Sequence, residues 1–329
     1  MYKNWISRVS ATAALALVMA GGALAPAQAA GIPESTDPIK LAINEWTGQH
    51  ITTYVAGEVL KRMGYNVEYT TAGYLPQFEA IQDGTVTASL EIWSNNVGEA
   101  YDKAAATGTV VKLGDLGVEA GEAWYYPKYV EESCPGLPDW QAFAKCAELF
   151  STPETFPQGR LLDYPLDWGA RNAEIIKALN LPFVSVPGGS EGALVAEFKA
   201  AVERKEPVVM MFWTPHWLFA QVPDVGRVAL PDFDQACLDD PKWGPNPDAT
   251  GDCFVPKPIT FKVAWAGAKD KWPAAYRFLT SFTFSAEDQI PLIEKIDAQG
   301  GDLATVVKEW VDANEAKWKP MADAAAASN

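Results

Sequence analysis

The stretch that most constrains this chain is Val208-Val209-Met210-Met211-Phe212-Trp213, entered from Lys205-Glu206-Pro207 and stopped by Thr214-Pro215-His216-Trp217. A short, unbroken apolar run bounded by turn residues reads as a strand covered on both faces, as in the parallel sheets of α/β proteins. Trp213 then stands at the carboxyl end of that strand. In open α/β sheets the ligand crevice lies outside the carboxyl ends. A single tryptophan there also fits ordinary core packing, so the other strand ends decide between the two readings.

Three further strand ends carry an indole. Pro38 to Asn44 alternates like a first strand and runs into Glu45-Trp46-Thr47-Gly48. Helical spacing of Val55, Val59, Leu60 and Met63 predicts a helix over 52–63, stopped by Gly64. Tyr65 to Tyr69 reads as a second strand, Tyr74 to Gln82 as a second helix, and Ala88 to Trp93 as a third strand. This β-α-β-α-β order implies parallel pairing with right-handed crossovers. Gly114 to Gly121 reads as a loop, and Ala123 to Tyr129 as a strand leading away. After a Pro-, Gly- and Cys-rich stretch, Arg160 to Tyr164 begins a new strand, followed by Trp168-Gly169 and a helix from Asn172 to Leu179. Free N–H groups at such a strand-to-helix turn suit an anion.

A helix over 191–204 leads into the Trp213 strand. A loop over 231–258, dense in Asp and Pro, follows, and a returning strand at 259–267. Helical segments come next at 273–282 and around Leu303, Val306, Val307 and Trp310, and a frayed tail from Ala322 is expected. The fold class is therefore α/β with two lobes. Each is expected to be a mostly parallel sheet flanked by helices: a first lobe of 38–122 plus 257–329, and a second of 123–256. About 300 residues exceed one compact domain, and a cleft between domains is a preferred ligand site.

The amino terminus narrows the setting. Lys3 and Arg8 precede a mostly apolar run from Ala11 to Leu24 and the small-residue signal Ala27-Gln28-Ala29. That pattern predicts a secretory signal peptide at 1–29 and a periplasmic mature protein. Removing two positive charges takes the formal net charge from -16 to -18. A surface this acidic repels nucleic acid and anionic lipid and favours cationic or zwitterionic ligands. In an exported chain an even number of cysteines suggests disulfides. The simplest of three connectivities pairs Cys134 with Cys146 and Cys237 with Cys253.

Trp46, Trp93, Trp168 and Trp213 thus fall at or just beyond four strand ends, two in each lobe. Indole has the strongest ring quadrupole, so several faces around one point cage a cation that donates no hydrogen bonds, such as a methylated ammonium. Each desolvated face contributes about 0.5–2 kcal/mol, and four would account for micromolar binding, about -8 kcal/mol.

On Trp213-Thr214-Pro215-His216-Trp217, Trp168-Gly169 and Trp93, with the two-lobe order, the chain resembles the substrate-binding proteins of ABC importers for glycine betaine, choline and related methylated amines. The resemblance covers most of the chain after residue 29. It implies a type II periplasmic-binding-protein fold, closure of two lobes on the ligand, and delivery to an ABC permease. By matching motif, Trp93, Trp168 and Trp213 would be cage walls, with Trp46 as the further wall of choline-binding relatives. The N–H groups of Gly169 and Ala170 would hold a betaine carboxylate. Where betaine binders of this group place a histidine, this chain has Val97. Trimethylamine N-oxide, smaller and with one oxygen to satisfy, fits a cage with fewer donors.

Trp124, on the crossover strand, is a candidate further wall, and among Glu45, Glu131 and Glu132 we single out Glu131, although solvated surface is the ordinary fate of such acids. His50 and His216 are the only histidines, and no G-x-S-x-G or free cysteine accompanies them. An exported enzyme with His216 as base therefore ranks behind a binding protein, as does a ligand-binding sensor subunit. Asp232, Asp234, Asp239, Asp240, Asp248 and Asp252 match no EF-hand spacing. No metal or cofactor is expected, and a monomer is.

Overall fold

The structure, a computed structural model, describes residues 31–327. The expected signal peptide at 1–29 lies outside that range. Two five-stranded sheets form the frame. The first has the order β2-β1-β3-β10-β4, with β1 at Ile39–Ile43, β2 at Val67–Thr71, β3 at Ala88–Trp93, β4 at Val110–Glu119 and β10 at Ile259–Trp265. The second has the order β7-β6-β8-β5-β9, with β5 at Gly121–Pro127, β6 at Gly159–Asp163, β7 at Phe183–Pro187, β8 at Val209–Thr214 and β9 at Val225–Arg227. Among the described residues no helix is long and apolar enough to cross a membrane.

Within the two-lobe α/β class the sheets are mixed. β1 pairs in parallel with β2 and β3, and β6 with β7 and β8. β10 runs antiparallel to β3 and β4, and β5 antiparallel to β8 and β9. The antiparallel members are those next to the passages between sheets. The chain leaves the first sheet at the end of β4, enters the second with β5 after Ala120, and returns through β10. A strand that arrives from the other sheet enters from the opposite end and so runs against its neighbours.

The stretch expected as a loop at Gly114 to Gly121 is instead the second half of β4 and the start of β5. Its burial does not alternate cleanly: Val110, Leu113, Leu116 and Val118 face inward. Gly114 and Gly117 have φ of +118° and +102°, and the register against β10 shifts beside them. Positive-φ glycines allow such irregularities in a ladder, and they hide the period of two from a sequence reading. The tail, expected to fray, is helical over Glu315–Ala327. Trp318 and Ala325 are buried there, and the Ala325 carbonyl accepts from the Arg277 guanidinium at 2.7 and 2.9 Å.

β8 is the most enclosed strand of the second sheet. Val209, Met210, Met211 and Phe212 are at most 1% exposed, and burial stabilises side chains of this size by about 1.5–3 kcal/mol each. That covering holds the end of β8, and Trp213 with it. Both expected cysteine pairs, Cys134–Cys146 and Cys237–Cys253, are bonded. The second closes the 231–258 loop onto a short helix at Gln235–Asp239.

Trp124, expected as a ligand wall, belongs to this core. It is fully buried, its ring packs at 6.2 Å from Phe143, and its indole N–H donates to Asn172 Oδ1 at 2.8 Å. Its side chain lies on the helix-covered interior of the second sheet because Asn172, the partner its N–H requires, is there. Trp124→Ala should therefore cost about 3–5 kcal/mol of folding stability, read as a lower denaturation midpoint. A midpoint within 1 °C of wild type would contradict this placement.

Candidate ligand-binding cleft

Trp46, Trp93, Trp168 and Trp213 converge on one cavity. Trp46 follows β1 and precedes the helix α1 (Thr47–Arg62), Trp93 ends β3, Trp168 ends the short turn at Leu166–Trp168 after β6, and Trp213 lies near the end of β8. Their exposures are 5, 5, 7 and 6%. Trp168 meets Trp46 edge-on at 5.2 Å between centroids and Trp213 at 5.4 Å, so an indole from the first sheet touches one from the second. Tyr74, Asn96, Glu122 and Tyr164 complete the lining of this cavity.

Polar anchors behind the walls set the ring orientations. The turn carrying Trp46 is held by buried amides: Gln49 accepts from the Asn44 N–H at 3.0 Å and donates to the Ala42 carbonyl at 2.8 Å, while Asn44 donates to the Ala72 carbonyl. Both first-sheet indoles donate to one carboxylate oxygen, Glu91 Oε1, from Trp46 at 2.9 Å and from Trp93 at 3.2 Å. Burial holds the Glu91 carboxyl above the usual carboxylate range, against the pull of its donors Trp46, Thr52, Trp93 and Gln289. Tyr74 fixes the end of β3 by accepting from the Trp93 N–H at 2.9 Å and donating to the Trp93 carbonyl at 3.1 Å. On the other side, Asp163 accepts from the Tyr164 N–H, the Asn172 amide and the Ser185 hydroxyl. Trp124 thus supports the cavity floor through Asn172 without lining it.

Two polar features belong to residues that line the cavity. The first is Glu122, paired across the ladder with Trp213. Its carboxylate accepts from the Asn95 amide and, at 2.8 Å, from the Asn96 amide. Burial pushes its pKa up to about 7, offset by the two amides and by Arg171. The second is Trp168 Nε1, buried with no hydrogen-bond partner among the described residues. A buried orphan donor at a cavity wall is a place for a guest's acceptor.

The remaining sequence candidates lie elsewhere. Gly169 and Ala170 do not line the cavity. The Gly169 N–H donates to the Leu166 carbonyl at 3.2 Å, where the chain tightens into a turn before its next helix, and Ala170 is exposed. Glu131 lies in a short helical turn on the second sheet, accepting from the Tyr126 hydroxyl at 3.0 Å. Glu132 and Glu45 are exposed, and Val97 is buried just before the helix at Gly98–Ala106. His50 contacts the Asn44 carbonyl at 2.6 Å.

Sequence reasoning missed Glu122, Tyr74, Tyr164 and Asn96. Glu122 and Glu91 shared one available signal: each is an acid inside an otherwise apolar strand, an arrangement that requires a partner or a purpose.

A second set of contacts bridges the two halves beside the cage. The Thr47 N–H, at the start of α1, donates to Glu191 Oε2 at 2.8 Å, and the Trp217 indole donates to Asp297 at 3.1 Å. Arg171 reaches the Asn95 carbonyl at 3.4 Å. Among the described residues, Glu191, His216 and Asp297 form the group of potential metal ligands, with ligand atoms within 4.8 Å of one another. The Leu218 N–H donates to His216 Nδ1 at 3.0 Å, which places the neutral ring's hydrogen on Nε2, toward Glu191 at 3.1 Å. Every carboxylate here already meets a protein hydrogen, so the group is a hydrogen-bonded bridge. His216 faces Glu191 and not the cavity.

Comparison with known proteins agrees with this geometry. The family model for the substrate binding domain of the ABC-type glycine betaine transport system matches residues 37–313. The trimethylamine N-oxide-binding protein of Pelagibacter ubique (strain HTCC1062) is 28% identical over 302 residues, covering 89% of this chain and 94% of that protein. An ABC-transporter choline binding protein in complex with choline superposes with a TM-score of 0.71 at 16% identity, over 89% of this chain and 93% of its own. Lactococcal OpuAC in its closed form with glycine betaine gives 0.67 at 17%, over 87% and 99%. At such identities the structures speak for the two-lobe fold alone. The family match covers most of the chain, which therefore belongs to the substrate-binding domains of ABC-type glycine betaine transport systems and serves transport, not catalysis.

Proposed function

We propose that this protein captures a small trimethylated amine in the cleft between its lobes, with trimethylamine N-oxide as the preferred guest, and delivers it to an ABC permease. It acts as a periplasmic monomer after removal of residues 1–29. The observation that carries the choice of guest is the pairing of four indoles with the Glu122 carboxyl and the unpartnered Trp168 Nε1 in one cavity. The indole faces take the methyl-coated positive end by cation–π attraction. An N-oxide oxygen is a strong acceptor, and the cavity offers it two donors, Trp168 Nε1 and the protonated form of Glu122.

Glycine betaine fits less well. Its carboxylate would face Glu122, and the Gly169 N–H expected to hold it already donates to the Leu166 carbonyl. The 28% identity with the trimethylamine N-oxide-binding protein points the same way. Two disulfides suit an oxidising compartment such as the periplasm, and the acidic surface disfavours nucleic acid as a partner.

Titration calorimetry with trimethylamine N-oxide, choline and glycine betaine tests the reading, and pH separates the guests. Burial pushes the Glu122 carboxyl up to about 7. Affinity for the N-oxide, which needs the protonated carboxyl, should fall as pH rises from 6 to 8. Affinity for choline, a permanent cation served by the carboxylate, should rise over the same interval. Each slope approaches at most about tenfold per pH unit, and Glu122→Gln should flatten both. No heat with any of the three compounds would refute the proposal.

Removing a wall gives a second test. Trp213→Ala should cost about 2 kcal/mol of binding, or about 30-fold in Kd, for a desolvated cation–π contact. Unchanged affinity per folded molecule would return Trp213 to the core.

A further inference from the structure

Glu91 occupies the middle of β3, where every residue is buried, and is itself 1% exposed. Its Oε1 takes both indole N–H groups of the first sheet, and its Oε2 takes the Thr52 hydroxyl and the Gln289 amide, each at 2.8 Å. The same Gln289 nitrogen also donates to the Gly48 carbonyl at 3.0 Å, which fixes the amide with its hydrogens toward the carboxylate. Thus hydrogens approach both oxygens, as an acceptor-only carboxylate requires. Among the described residues no salt bridge reaches Glu91. It is a buried acid without a cationic side chain, placed directly behind two walls of a cage proposed to receive a cation.

We infer that Glu91 is a positioning residue that makes the cage selective for a positive guest over a neutral one of the same shape. The inference rests on the function proposed above and concerns how the same cavity chooses. Three effects follow from one contact. Tying both N–H groups to a single oxygen behind the rings turns the indole faces, and not their polar edges, toward the cavity. Hydrogen bonding of an indole N–H to a negative acceptor also shifts electron density onto the ring, and the face of the ring is where a cation binds. Burial favours the neutral acid, and an incoming cation pulls the group back toward its ionised form, whose charge adds to this in a water-poor interior. A neutral molecule gains from the first effect and not from the other two.

The matched probes are choline and its uncharged carbon isostere, 3,3-dimethylbutan-1-ol, measured by calorimetry on wild type and on Glu91→Gln. The amide oxygen can still accept from both indoles, so the substitution removes charge and keeps the anchor. The expected result is a fall of about tenfold or more in the choline-to-alcohol affinity ratio, with the alcohol's own affinity changed less than about threefold. Should the single variant fail to fold, Glu91→Gln with Gln289→Glu swaps amide and carboxylate inside the same network, moves the charge one residue from the rings, and carries the same expectation. Equal losses for both probes, or an unchanged ratio, would overturn the assignment and leave Glu91 as core structure. Wild type that binds neither choline nor trimethylamine N-oxide would instead bring down the proposed function, and this inference with it.

Discussion

An indole has a single polar atom, and where that atom finds a partner decides which part of the ring is left to face a cavity. The cleft of this protein depends on that constraint. Trp46 and Trp93 arrive from different places in the chain, one after β1 and the other at the end of β3, and both would carry an unsatisfied N–H into an apolar interior. Leaving such a donor unpaired costs about 1–3 kcal/mol. Glu91 satisfies both from behind the cavity, while Thr52, from α1, and Gln289, from the helix Ala286–Ile293, hold the carboxylate in turn. A wall of this cavity is therefore tied to two helices of the first lobe.

The two halves meet through contacts of different kinds. Trp46 against Trp168 is an edge-on aromatic pair, while Glu191 with the Thr47 N–H and Asp297 with the Trp217 indole are hydrogen bonds between carboxylates and protein donors. Thr47 follows Trp46 directly, and Trp217 lies four residues beyond Trp213. The polar bridge is therefore built on the same turns that carry two of the walls, and any relative motion of the lobes that parts the walls also breaks the bridge. Apposition of the lobes and completion of the cage are in this way one event. The Glu191 carboxylate, which accepts from the first N–H of α1, also meets the partial positive charge of that helix terminus, which favours the apposed arrangement.

Much of this was legible in the chain because tryptophans at strand ends announce themselves. The apolar run ending at Trp213 and the strand ending at Trp93 are bounded by turn residues, so the register of their last side chains could be read directly. The sheets were legible at β1, β3, β6 and β8, whose sequences are short apolar or alternating runs, and illegible at β4, where Gly114 and Gly117 break the period of two. The polar half of the site was hidden for another reason. Glu122 acts through its pairing with Trp213, 91 positions away by sequence and adjacent in the ladder, and the choice among acids near the lobe boundary therefore fell on Glu131, which is one strand end too far along. Trp124 shows the converse: its residue type suggested a wall, but its N–H has its partner at Asn172, inside the second lobe.

The four walls are not equivalent, and the difference bears on how the proposed guest would be recognised. The first-lobe pair has its N–H groups satisfied in advance, so those rings offer faces only. Trp168, on the second lobe, has an N–H with no partner among the described residues, and beside Trp213 stands Glu122, whose carboxyl burial pushes up to about 7. On the proposed reading, the first lobe supplies sites for methyl groups and positive charge, and the second adds what an oxygen requires. A guest with charge but no oxygen would leave the Trp168 donor buried and unpaired on closure, and a guest with a carboxylate would meet Glu122. The small zwitterion whose single oxygen is bonded directly to the charged nitrogen would satisfy both lobes at once, and on that ground the proposed reading prefers an N-oxide to a longer betaine.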